Sequence, residues 1–85
     1  MTKYLYAIHD KLAGIYSAPF ALHPKTAQRT FDFMAKERSE QECKDQHIVY
    51  VGMYEDETGT IVPADVITEV YDLEKEWKRK HENEN

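Results

Sequence analysis

Nucleophilic or metal chemistry in this chain would have to come from one cysteine, Cys43, and four histidines, His9, His23, His47 and His81. Cys43 and His47 are four residues apart, yet neither a paired Cys/His zinc motif nor a G-x-S-x-G elbow accompanies them. No metal site and no nucleophilic enzyme is therefore expected. Glu55, Asp56 and Glu57 crowd one turn; they are contiguous rather than convergent, so they read as a solvated loop tip and not as an acid/base pair or a divalent-cation site. No G-x-x-x-x-G-K-[ST] or G-x-G-x-x-G loop occurs, and the whole chain holds three glycines, so nucleotide hydrolysis is not expected either. What remains is aromatic and cationic: Tyr4, Tyr6, Tyr16, Phe20, Tyr50 and Tyr54 fall in strand-like runs, with Lys3, Lys11 and Lys25 close in sequence. A sheet surface carrying Tyr and Lys can stack unpaired bases and neutralise their phosphates. The same tyrosines can equally serve as core or dimer-interface packing. The expectation is a non-catalytic binding protein with no cofactor.

The elements that must position these residues follow from periodicity. Tyr4 to His9 alternates Tyr4, Tyr6 and Ile8 against Leu5, Ala7 and His9, both sets largely apolar, which predicts a central strand. His9-Asp10-Lys11 supplies a turn into a second extended run, Ala13 to Phe20, which Pro19 places on an edge or ends near Ala18. From Pro24, the spacing of Ala27, Phe31 and Met34 predicts a helix with Thr30 completing the inner stripe, Phe33 widening it, and Arg29 pairing with Asp32. Residues 39–46 are polar and read as the end of the helix and a connecting loop, whereas His47 to Tyr54 is apolar at nearly every position and reads as a second central strand. A hairpin turn with Gly59 at its left-handed position leads to Thr60-Ile61-Val62, which Pro63 stops. Residues 65–71 fit a strand by composition. They also fit a helical seam of Val66, Val70, Leu73 and Trp77, with Asp65 as a cap. A helix is assigned to about 72–82, and His81 onward is expected to fray. The predicted fold is α+β, a small antiparallel sheet of about four strands in ββαββ order with one helix packed on it and a C-terminal helix. Residues 1–71 form the domain and 72–85 a helical extension.

Length and charge narrow the function further. Eighty-five residues make one small core, and a single cysteine leaves no internal disulfide to staple it, so homodimerisation is expected. No apolar run approaches the roughly 20 residues that span a bilayer, and no signal peptide is evident, so neither membrane nor export is expected and the expected location is the cytoplasm. The formal net charge of −5 argues against a protein that coats nucleic acid over its whole surface. The charge is uneven: residues 1–36 hold five basic against two acidic groups, +3, while residues 37–85 hold six against fourteen, −8. Only the N-terminal half offers phosphate a favourable field.

Four stretches occur in a recognisable order: Tyr6-Ala7-Ile8-His9-Asp10-Lys11, then Tyr16 with Pro19-Phe20, then Ala27, Arg29 and Phe31, then Val51-Gly52-Met53-Tyr54 followed by Asp56-Glu57-Thr58-Gly59-Thr60-Ile61. Over about residues 4–62 the chain resembles the small nonstructural protein of gokushovirus-type microviruses, phages with circular single-stranded DNA. That resemblance implies a nonstructural, DNA-binding accessory role in genome replication, at the change from duplex replication to single-stranded genome synthesis, in the host bacterial cytoplasm. It implies phosphate contacts from Lys11 and Arg29 and stacking by Tyr16 and Phe20, to which the residues themselves add Lys3 and Lys25 as nucleic-acid contacts. The alternative from the residues themselves is an interaction module or acidic modulator that engages a phage or host replication protein through Val66, Val70, Leu73 and Trp77.

Overall fold

The structure, a computed structural model, describes residues 1–82; the fraying expected at the C-terminus lies, from residue 83 onward, outside them. The chain runs β1 (Thr2–Asp10), β2 (Ile15–Tyr16), β3 (Phe20–Leu22), α1 (Ala27–Glu37), α2 (Glu40–Cys43), β4 (Gln46–Glu55), β5 (Thr60–Asp72) and α3 (Leu73–His81). All pairings are antiparallel, in the order β2-β1-β4-β5 with β3 beside β2 on the same side of β1. This is the expected α+β fold, with β1 and β4 central. The second run is not continuous. Ser17 Oγ accepts from the Ile8 amide at 2.8 Å and Pro19 has no amide to donate, so the run breaks into β2, opposite His9 and Asp10, and β3, opposite Tyr4 to Tyr6.

The helices cover one face of the sheet. Tyr6, Ile48 and Tyr71 point from three adjacent strands against Ala27, Phe31 and Ala35 of α1 and against Cys43 and Leu73, all buried. Phe31 meets Tyr6 edge-on at 5.0 Å. α3 belongs to this core: Leu73 is fully buried, the Trp77 indole donates to the Arg38 carbonyl at 2.8 Å, and Lys80 lies 3.2 Å from Asp32. Asp32 accepts from the Tyr71 hydroxyl as well, which leaves Arg29 without its expected partner, and Phe33 points into solvent at 61% exposure instead of widening the core.

Three further expectations are corrected. Residues 39–46 contain α2, whose Ser39 hydroxyl and Glu42 carboxylate form a reciprocal capping box; it carries Cys43 into the core, where burial raises the thiol pKa. Pro63 does not stop its strand. It lies on an edge strand, where a missing amide is tolerated, and the chain continues as β5 to Asp72. The helical seam does not form either: Val66 and Val70 are exposed on β5, whereas Leu73 and Trp77 lie in and against the core. Asp72, not Asp65, caps α3, accepting from the Lys75 amide at 3.1 Å.

β5 is irregular where the seam was expected. Pairing runs from Tyr50 opposite Thr68 to Gly52 opposite Pro63, so residues 64–67 face a single residue of β4 and bulge outward. The strand passes so close to Gly52 that a Cβ there would meet the Val62 carbonyl oxygen at 2.6 Å. Only glycine fits that crossing.

Candidate nucleic-acid interface

The register separates the cations that the sequence grouped. β3 leaves the sheet at Leu22, opposite Tyr4, so Lys25 and the first turn of α1, with Arg29 on its exposed side, lie toward the Thr2 end. Lys11 follows Asp10 at the other end, about 20 Å away along β1. Lys3 is occupied at the Thr2 end, where its ammonium lies 3.7 Å from Asp56. Phe20 is half-buried and packs at 6.3 Å against Tyr6, so its ring is not available to a base. Of the six residues read as a nucleic-acid surface, Lys11 and Tyr16 share one end of the molecule and the other four do not join them.

What does gather at the Asp10 end is partly new. α1 runs from the Tyr4 end toward Asp10, and its C-cap Arg38 reaches a groove of about 400 Å³ lined by Ile8, Asp10, Ile15, Tyr16, Ser17 and Gln46. The Lys11 amide donates to the Asp45 carbonyl at 2.9 Å, which brings the α2–β4 junction, including Lys44, beside the β1–β2 turn. Lys11, Arg38 and Lys44 make no ion pair among the described residues. The sequence split at residue 36 concealed this group, because Arg38 and Lys44 belong to the half with surplus acid. The signal that could have found it is Ser39-x-x-Glu42, which marks a helix start that folds this segment back on the core.

The aromatic part is preorganised. Tyr16 stacks on His9 with ring centroids 4.1 Å apart and planes 11° from parallel, and it stays half exposed. A base laid on the free side of Tyr16 would extend that stack, with Ile15, 66% exposed, beside it. Asp10 shapes the turn by accepting from the Leu12 and Ala13 amides at 3.0 and 2.9 Å. Gln46 adds an amide whose Oε1 is buried without a hydrogen-bond partner, an acceptor that costs about 1–3 kcal/mol until something donates to it. Asp10 and Asp45 sit on the same rim, so the field is mixed.

The opposite end has different chemistry. The Met1 ammonium lies 2.9 Å from Glu55, 2.6 Å from Asp56 and 3.3 Å from Glu57, so the acidic turn gathers the chain's own amine, which offsets part of its charge, and is not simply solvated. Hydrogen bonds to Asp56 and Glu55 push the amine up to about 10, and the amine in turn holds both carboxyls below their usual range.

A family model described as Phage ORF5 protein matches residues 3–75, from β1 into the first turn of α3. The chain belongs to that family. The match contains every groove residue and extends past residue 62 to include β5 and the buried Leu73 of this phage ORF5 family member. Comparison with curated proteins and with solved structures found no match. No helix among the described residues is long and apolar enough to cross a membrane.

Proposed function

We propose that this phage ORF5 family member is a non-catalytic accessory protein that binds single-stranded DNA during phage genome replication, in the host bacterial cytoplasm, at the groove beside Tyr16. The observation that carries the reading is the His9–Tyr16 stack with one free aromatic side, set next to Arg38, Lys11 and Lys44, none of which makes an ion pair among the described residues. The resemblance to gokushovirus-type nonstructural proteins supports the replication role. Three phosphate contacts on a single strand give a salt slope near −2, so affinity should fall roughly 20-fold between 50 and 200 mM salt. Fluorescence anisotropy with a labelled single-stranded oligonucleotide tests this. Affinity indifferent to salt, or unchanged in Arg38→Ala combined with Lys11→Ala, rejects it.

A second reading rests on a separate observation. β5 is an edge strand that exposes Ile61, Val62, Val66, Ile67 and Val70, between 42 and 72% each. Such a strip suits a protein partner, a second copy of the chain or a phage or host replication protein. Sedimentation of Val66→Glu, Ile67→Lys measures it: conversion of a dimer to monomer with DNA affinity intact assigns the strip to self-association, and an unchanged state in both variant and parent rejects that.

A further inference from the structure

The face of the sheet away from the helices holds a cluster of which the DNA-binding reading uses only His9, as the ring beneath Tyr16. His9 and His47, 38 residues apart in sequence, are directly opposite each other on β1 and β4. His9 Nδ1 lies 2.7 Å from His47 Nε2, and His47 Nδ1 lies 2.7 Å from Glu69 Oε1 on β5. A carboxylate accepts, so His47 Nδ1 carries the proton toward Glu69. His47 Nε2 is then left with its lone pair facing His9. We propose that His9 Nδ1 and His47 Nε2 form a cross-strand chelate for a divalent late-transition-metal cation, copper(II) above all, with Glu69 as the outer carboxylate that orients His47.

The geometry is close to what such an ion takes. Metal–nitrogen bonds of about 2.0–2.1 Å at a right angle separate two ligating nitrogens by about 2.9 Å. The observed 2.7 Å opens to that spacing by small ring rotations, and ring centroids already 4.9 Å apart do not have to move far. The chelate also needs no net loss of protons, because the His9 proton moves from Nδ1 to Nε2 as the metal takes Nδ1. Both rings are held in place beforehand, His9 by its stack on Tyr16 and His47, with 13% of its side chain exposed, by Glu69. A ligating imidazole whose other nitrogen donates to a carboxylate is the arrangement that fixes tautomer and raises ligand basicity. Imidazole donors with open positions for water favour copper(II) over nickel(II) and zinc in the usual order of divalent affinities. The acidic turn at Glu55, Asp56 and Glu57 offers only carboxylates and is already occupied by the Met1 ammonium.

Calorimetric titration of the full chain with copper(II), after removal of adventitious metal, should show one equivalent bound. The electron paramagnetic resonance spectrum of the wild-type complex should show hyperfine coupling to two imidazole nitrogens. His9→Gln and His47→Gln should each weaken binding at least tenfold, and Glu69→Gln by about 10- to 100-fold; His23→Gln should leave it unchanged. Copper should also raise the melting temperature of the parent and not of His47→Gln. A wild-type spectrum showing fewer than two imidazole nitrogens overturns the proposal without any variant. So does undiminished binding in His9→Gln or His47→Gln, or loss of the site in His23→Gln.

Discussion

The two ends of the sheet carry similar residue types and treat them in opposite ways. At the Thr2 end, Lys3 and the Met1 ammonium are bound to Glu55, Asp56 and Glu57, so two cations face three carboxylates and both are spoken for within the fold. At the Asp10 end, Lys11, Arg38 and Lys44 make no ion pair among the described residues, and one neighbouring carboxylate, Asp10, is engaged by turn amides. The lesson is that the number of cations in a stretch of sequence says little about where a polyanion can bind. Availability is decided by which acids the register brings alongside.

The largest test of this comparison is structural. Gly52→Ala would force the crossing of β4 and β5 at the Thr2 end apart and should cost about 3 kcal/mol in chemical denaturation. Leu73→Ala should cost a similar amount, because α3 is part of the core and not an appendage. Next in size is Tyr16→Ala, which should lower single-stranded DNA affinity about tenfold to hundredfold with little change in stability, while Lys3→Ala at the other end leaves affinity unchanged. Equal losses from both would erase the distinction between the ends. Ser39→Ala removes the cap of α2 and should destabilise by about 1 kcal/mol, with a loss of DNA affinity from disordering of the α2–β4 junction that a fluorescence titration reads.

The smallest effect is a pH dependence that arises at the Thr2 end. The Met1 amine has its pKa raised, so its contribution is complete below about pH 8 and is lost as pH rises through about 10. Glu55 and Asp56 have theirs lowered, so on the acid side the contribution disappears as pH falls through the depressed carboxyl range. Between pH 7 and 9 the urea midpoint should drift down slightly more in the parent than in Glu55→Gln, Asp56→Asn; above that the buried Cys43 thiol and the Tyr6 and Tyr71 hydroxyls, whose pKa values are also raised, lower both proteins alike.

Much of the fold was legible because its signals are local. The alternation of Tyr4 to His9, the Ala27–Phe31 spacing and the turn at Gly59 each name an element within ten residues, and each formed. Pro63 and the Val66–Trp77 spacing misled because their meaning depends on the neighbours: an edge position tolerates the proline, and pairing with β4 overrides a helical repeat that continues only from Leu73. The groove at the Asp10 end was half legible. Tyr16 and Lys11 were visible as types near a turn, but Arg38 and Lys44 join them only through the direction of α1 and the fold of α2. The His9–His47 pair could not be read at all, since the register of two strands far apart in sequence creates it.

The outward loop of residues 64–67 in β5 bears on assembly. A straight free edge invites another strand, and that one another, without end. Here the backbone turns aside after Pro63, so the rim cannot template a growing ribbon, and whatever docks there must do so through side chains and stop at a finite complex. The chain would thereby stay dispersed instead of fibrillating.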